Sequence, residues 1–346
     1  MPEKSEVFKI FRWINSPIPY IGGKRAMRGI IISLFPRKYG RYVEPFGGGA
    51  SILFGKQEDD FEVYNDFNGD LVNMFRCIKD RPMALLNALK LFPLHSRQEF
   101  NILQELLEGK VPNLPYMDNE IEIAEEMFEE EDAKLLIELM NGKTELYDVE
   151  RAAAFYKLIR YSYGSGGKSF GGQPVNLLNT LELIVAAAYR LRKTIIENKD
   201  FGSIITQYDR PDAFFYIDPP YVDTEGYYMV GFNMDDHIRL HSLLKEINGK
   251  FLLSYNDCEF VKELYKDFTI VEWSRANPLA HRHKPDSRFE ELLIANYDIN
   301  ERRKDEPKQL RLFGDGEYEC NYLQDYRYKR PNNTTVYIPT ALNEQK

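Results

Sequence analysis

The apolar run Ala213-Phe214-Phe215-Tyr216-Ile217 stops abruptly at Asp218-Pro219-Pro220-Tyr221. Three aromatics and an isoleucine in a row behind Ala213 read as a buried strand. Proline has no N–H for a sheet ladder, so the strand must end where Pro219 and Pro220 begin. The two rings also stiffen the turn. They fix the Asp218 carboxylate, the prolyl carbonyls and the Tyr221 ring at the strand's carboxyl end, which is the edge where open α/β sheets bind ligands. Hydrogen-bond acceptors beside a flat stacking face suit an amino group on an aromatic base.

A second α/β unit lies near the start. Arg41–Glu44 reads as a short strand, Pro45-Phe46-Gly47-Gly48-Gly49 as a turn, Ala50–Phe54 as a helix start and Phe61–Tyr64 as another strand. The glycines let a ligand approach the backbone, and the helix start offers free N–H groups. A structural tight turn is the alternative. The spacing is not GxGxxG, so the dinucleotide fingerprint fails. Asp66, about twenty residues past the turn, stands where an acid binds ribose hydroxyls; Asp66 or Asn68 could equally cap the helix at 70–78. Pro19-Tyr20-Ile21-Gly22-Gly23-Lys24 has glycines for a close turn, but Ile18 and Arg25 break the P-loop pattern.

Between these units the pattern turns helical. From 81 to 176 strands vanish, and a loop rich in glycine and aromatics spans 161–172. The α/β pattern resumes with a helix at 179–193 and strands at Lys250–Asn256 and Leu292–Tyr297. The last ~45 residues read as an appendix of low periodicity. The expected organisation is a discontinuous α/β domain (1–80 and 177–299), a helical insertion (81–176) and a C-terminal extension (300–346).

A net charge of −9 runs against nucleic-acid binding, but the charge is uneven. Residues 118–150 carry thirteen acids against Lys134 and Lys143, which leaves the rest of the chain slightly basic. Residues 151–200 carry eight Lys and Arg against three acids. That asymmetry fits a basic face on an acidic protein, or an ordinary solvated surface. Cys77, Cys258 and Cys320 form no CxxC pair, which argues against a disulfide framework or structural zinc and for a reducing cytoplasm. The N-terminus lacks a signal-peptide core, and no apolar run reaches membrane-spanning length. His237 and His241 stand at i, i+4 without the glutamate of HExxH, so a packing role is expected, and no metal.

Together, DPPY, the PFGGG turn, the YND acid and the PYIGGK segment resemble the Dam-like family of DNA adenine methyltransferases, over roughly 16–80 and 178–297. The resemblance implies an α/β Rossmann-like methyltransferase fold with an inserted, mainly helical target-recognition domain. It implies a donor, S-adenosylmethionine, leaving as S-adenosylhomocysteine, without metal. Tyr20 and Lys24 would flank the cofactor. Glu44, Phe46, Gly47 and Gly49 would cradle its methionine part, and Asp66 would hold the ribose. Asp200-Phe201 resembles the element near the cofactor adenine. Asp218 would touch cofactor and target amine, with Pro219, Pro220 and Tyr221 completing the catalytic turn around a flipped adenine. Arg160, Tyr161 and Lys168 are the expected DNA contacts, joined by His281, Arg282 and Lys284 of a basic cluster. The expected partner is double-stranded DNA in a bacterial or phage-infected cytoplasm, with the chain a monomer or weak dimer and a companion restriction endonuclease left open. RNA or protein glutamine as substrate, and an idle DNA-binding module, are the alternatives. The glycine-rich loop at 164–172 departs from the recognition hairpin of the best-known members, so no target sequence carries over.

Overall fold

Strands that read as unbroken apolar runs need cover on both faces, and Ala213–Ile217 is such a run. The computed structural model describes residues 14–91, 96–109, 122–123, 125–134, 148–171, 178–222, 231–276, 288–301, 324–329 and 335–340. In chain order the elements are α1 (Arg28–Ser33), β1 (Arg41–Glu44), α2 (Ser51–Gly55), β2 (Glu62–Asn65), α3 (Gly69–Asp80), α4 (Pro82–Leu91) and α5 (Arg97–Leu107). After them come α6 (Val149–Tyr161), α7 (Leu178–Leu191), β3 (Ile195–Glu197), α8 (Phe201–Tyr208), β4 (Ala213–Ile217), α9 (Met234–Lys245) and β5 (Lys250–Asn256). The chain closes with α10 (Glu259–Leu264), β6 (Thr269–Ala276), β7 (Arg288–Ala295), β8 (Gln324–Lys329) and β9 (Thr335–Thr340).

Two compact units emerge. The described residues of the first lie within 14–28 and 47–201. There β2 and β3 pair in parallel, with Val63 opposite Ile195. Asn68 starts α3 because its side chain accepts from the Asp70 and Leu71 amides. The buried face of α3, Leu71, Val72, Met74, Phe75, Cys77 and Ile78, packs against α6, whose side chains from Ala152 to Ile159 are all buried. Helices α4 and α5 pack on α6 as well. Within 81–176 the described residues form helices, and the one pairing is an isolated bridge between Ser162 and Phe170.

The second unit carries strands in the order β1-β4-β5-β7-β6-β8-β9. The pairs β1–β4 and β4–β5 are parallel, with Tyr42 opposite Phe214 and Ile217 opposite Leu253. From β5 outward the pairing turns antiparallel. Ala213–Ile217 are all buried, as strands covered on both faces require. The architecture is mixed α/β of the Rossmann-like methyltransferase type. Residues 324–329 and 335–340, expected to be part of a low-periodicity appendix, instead pair as β8 and β9 on β6. Two further strands, β3 and β6, carry no clear apolar run of their own, and their pairing comes from neighbours in the sheet. Among the described residues, no helix is long and apolar enough to cross a membrane.

Candidate active site

In the first unit the glycine turn is held by its own side chains. The Gly47 amide donates to the Asn65 carbonyl at 2.7 Å, and the Tyr64 hydroxyl donates to the Gly48 carbonyl at 2.8 Å. Gly48 adopts φ +49°, which favours glycine. A Cβ on Gly47 would meet the Tyr64 ring at 2.1 Å, and one on Gly49 would meet Tyr20 Cβ at 2.9 Å. The bare backbone at 47 and 49 therefore admits the protein's own aromatic rings, a reason the sequence alone did not disclose.

Asp66 closes this turn onto α3. Its Oδ2 accepts from the Gly48 amide at 2.9 Å and its Oδ1 from the Asn68 amide at 2.8 Å. Burial raises its carboxyl above the usual range, while the amides of Asn68, Gly48 and Phe67 pull the other way. Helix capping falls to Asn68, so Asp66 is not itself the cap. Each carboxylate oxygen keeps lone-pair capacity for a hydroxyl donor, which fits a ribose. Tyr20 lies against the turn, its hydroxyl 3.4 Å from Asn68 Nδ2, and buried Lys24 donates to the Gly22 carbonyl at 3.1 Å.

The segment Asn198–Phe201 is clamped to the end of β2. Asn65 Nδ2 donates to the Lys199 carbonyl at 2.9 Å, and Asn198 Nδ2 donates to the Asp66 carbonyl at 2.8 Å. Asp200 and buried Phe201 are thus held near Asp66, across 134 residues of sequence. Neither asparagine was expected to act; Asn65 is the last residue of β2 and Asn198 follows β3, the place where side-chain amides commonly satisfy loop backbone.

In the second unit, Glu44 is buried at the end of β1 and accepts from the Tyr42 hydroxyl at 2.5 Å. Burial first, and then the Glu44 charge, push the Tyr42 phenol well above its ordinary value. Phe46 packs edge-on against Phe232 at 5.7 Å. Pro219 and Pro220 are buried, and Asp218 and Tyr221 are half-buried. Ser254 donates to Asp218 Oδ1 at 2.8 Å. The Tyr221 hydroxyl donates to Glu291 Oε2 at 3.3 Å. Asn256 holds the exit of the turn, accepting from the Val222 amide at 3.2 Å and donating to the Val222 carbonyl at 3.1 Å. Ser254, Asn256 and Glu291 went unnoticed in the sequence; the one signal was Ser254, a polar residue between Leu253 and Tyr255 in the strand.

The basic stretch 151–200 is largely consumed internally. Arg151 pairs with Asp70, and buried Arg190 pairs with Glu62 through two contacts of 2.5 and 2.8 Å. Arg192 meets Glu58 and Lys199 meets Glu197. Burial lowers the Lys157 ammonium to about 8. Lys168 is exposed, Arg160 is half-buried and Tyr161 is buried at the end of α6. His281, Arg282 and Lys284 lie outside the described residues. His237 is buried, with Nδ1 bonded to the Tyr255 hydroxyl, and His241 sits edge-on to Tyr265. Among the described residues, no group of three or more His, Cys, Asp or Glu is placed to hold a metal ion.

A profile of the D12 class N6 adenine-specific DNA methyltransferases matches residues 20–277. The chain is 26% identical over 293 residues to Type II methyltransferase M1.LlaDCHI of Lactococcus lactis subsp. cremoris, covering 80% of this chain and 94% of that one. It is 28% identical over 307 residues to Type II methyltransferase M.MjaIII of Methanocaldococcus jannaschii, covering 81% and 98%. Type II methyltransferase M.CviBI of Paramecium bursaria Chlorella virus NC1A is 25% identical over 271 residues, covering 75% and 89%. With the acid–proline–proline–tyrosine turn and the glycine turn both inside the matched span, the chain belongs to the D12 class N6 adenine-specific DNA methyltransferase family.

Proposed function

We propose that the chain transfers a methyl group from S-adenosylmethionine to the exocyclic N6 of adenine in duplex DNA, with the target base flipped out of the helix. The observation that carries this reading is the turn at 218–221. Its acid is fixed by Ser254, its backbone by buried prolines and Asn256, and its ring by Glu291.

The residues fit the donor molecule. Within the first unit Asp66 retains acceptor capacity for ribose hydroxyls and Tyr20 offers a ring face; within the second, Glu44 is a buried carboxylate suited to a methionine amino group and Phe46 offers a ring face. When bound, S-adenosylmethionine supplies a methyl group on a sulfonium, which leaves readily. The chain's own task is positioning. Asp218 and the Pro219 carbonyl accept hydrogen bonds from the adenine amine, which turns the nitrogen lone pair toward the methyl group. Tyr221 stacks on the base and offsets part of the few kcal/mol that unstacking costs. Pro220 keeps the ring from swinging away. Arg160 and Lys168 meet backbone phosphates, and buried Tyr161 closes the helix that carries Arg160. The names of the relatives place such enzymes in restriction–modification systems, and we extend that setting to this chain.

The test is direct. Purified chain, unmethylated genomic DNA and S-adenosylmethionine should yield N6-methyladenine by nucleoside mass spectrometry. Asp218→Ala should abolish the product while the thermal melt stays near wild type. Full activity in that variant would exclude the assigned role, and methylation of RNA in preference to DNA would redirect the substrate.

A further inference from the structure

The catalytic turn is anchored from below by a buried polar set that the family assignment does not name. In the parallel β4–β5 pair, Ile217 lies opposite Leu253, so the next step sets Asp218 beside Ser254. Ser254 is 0% exposed, in a strand whose other central residues are Leu252, Leu253 and Tyr255. A lone hydroxyl there costs free energy unless it is bonded, and it is: Oγ donates to Asp218 Oδ1 at 2.8 Å. The hydroxyl gives its one proton to Asp218, so any hydrogen bond it shares with Tyr216 at 3.4 Å or Tyr221 at 3.5 Å is one that it accepts. Glu291, 2% exposed on β7, accepts from the Tyr221 hydroxyl at 3.3 Å. The Tyr221 proton is then directed to Glu291, and the Tyr216 hydroxyl stands within reach to donate to Ser254. The protons then run one way, from Tyr216 to Ser254 to Asp218, and from Tyr221 to Glu291.

We infer that Ser254 is a positioning residue for methyl transfer: it pins one oxygen of the Asp218 carboxylate and so sets the direction in which the other meets the target amine. The inference rests on the proposed adenine methylation. Ser254 touches neither donor nor base, so its contribution falls on the rate of the chemical step and not on ligand affinity.

The experiment measures kcat and KM for S-adenosylmethionine and for unmethylated genomic DNA, with the full chain and Ser254→Ala and Ser254→Cys. Loss of a hydrogen bond to a charged group should lower kcat about 10- to 100-fold in Ser254→Ala, with both KM values within about twofold. The thiol, a weak donor, should fall between Ser and Ala. A residue that merely filled space would give the reverse order, since sulfur is the larger intruder in a packed strand, and that order overturns the inference. If Ser254→Ala does not fold, Tyr216→Phe removes the donor behind Ser254 and should lower kcat several-fold; unchanged kcat there overturns the inference too. A wild-type chain that makes no N6-methyladenine overturns the functional reading and this inference with it. An active wild type with an unimpaired, folded Ser254→Ala overturns this inference alone.

Discussion

Replacing Gly47 by Ala separates two reasons for a glycine turn. Gly47 does not hold a positive φ, so alanine meets no backbone strain there. The cost is steric. The new Cβ would lie 2.1 Å from Tyr64 Cε2, 2.4 Å from Cδ2 and 2.9 Å from Cζ, well inside ordinary contact. The ring must retreat by more than an ångström. Tyr64 is fully buried, its hydroxyl is bonded to the Gly48 carbonyl at 2.8 Å, and Phe75 packs against it at 4.9 Å. Overpacking of this kind costs up to about 3 kcal/mol, and losing the hydroxyl bond adds about 1 kcal/mol. Gly47→Ala should therefore lower stability by about 3–4 kcal/mol in urea denaturation followed by circular dichroism. In a Tyr64→Ala background the ring is gone, and the same change should be close to neutral. A coupling of about 3 kcal/mol between the two sites is the signature. If Gly47→Ala unfolds at the wild-type urea concentration yet fails to bind S-adenosylmethionine, the glycine serves the ligand and the steric account is wrong.

Three more outcomes follow from the same structure. Lys168→Ala, made in an exposed position, should weaken DNA binding uniformly across sequences and reduce the slope of log K against log salt by about one, read by fluorescence anisotropy between low and moderate salt. Arg190→Met should cost about 3–5 kcal/mol in chemical denaturation, because it leaves buried Glu62 with Lys56 and Thr194 but without its two-pronged partner. The pH dependence has a definite sign. Burial alone would raise the Glu62 carboxyl, but the Arg190 hydrogen bonds and the Lys56 charge hold it below its usual value of 4.5. The stability it contributes is present above that value and is lost as pH falls through the depressed folded one. In Arg190→Met the acid-induced loss should begin at higher pH, and an identical acid titration in both proteins would refute the pairing.

Some of this molecule could be read directly from the chain, for physical reasons that differ by element. Ala213–Ile217 and Lys250–Asn256 matched their expected bounds because each is a dense apolar run cut by a residue that cannot extend the ladder or leaves the core. Arg41–Glu44 was equally plain, since the prolines and glycines that follow it end the strand. By contrast, Ile195–Glu197 is three residues long, and Thr269–Ala276 mixes Glu272, Ser274 and Arg275 among its apolar positions. Their pairing is supplied by β2 and by β7 and β8, and no local window contains those neighbours. Gln324–Lys329 and Thr335–Thr340 escaped for the same reason.

The site divides along the same line. A residue whose placement is set by the chain on either side of it, such as Asp218 before two prolines or Asp66 after a strand, can be located from the sequence. A residue whose role is set by a partner far away in sequence cannot. Asn198 reaches Asp66 over 132 residues, Glu291 meets Tyr221 over 70, and Ser254 meets Asp218 over 36. Charge follows the same rule: of the eight basic residues between 151 and 200, Arg151, Arg190, Arg192 and Lys199 are paired with acids, three of which lie at 58, 62 and 70. Composition counts charges but not their partners, and in a buried network such as Glu62 with Arg190 the partner decides whether a cation faces solvent or the core. The side chains that hold the turn at 218–221 in place are therefore the ones a linear reading is least equipped to find, and under the proposed function they are where substitutions should alter rate without altering affinity.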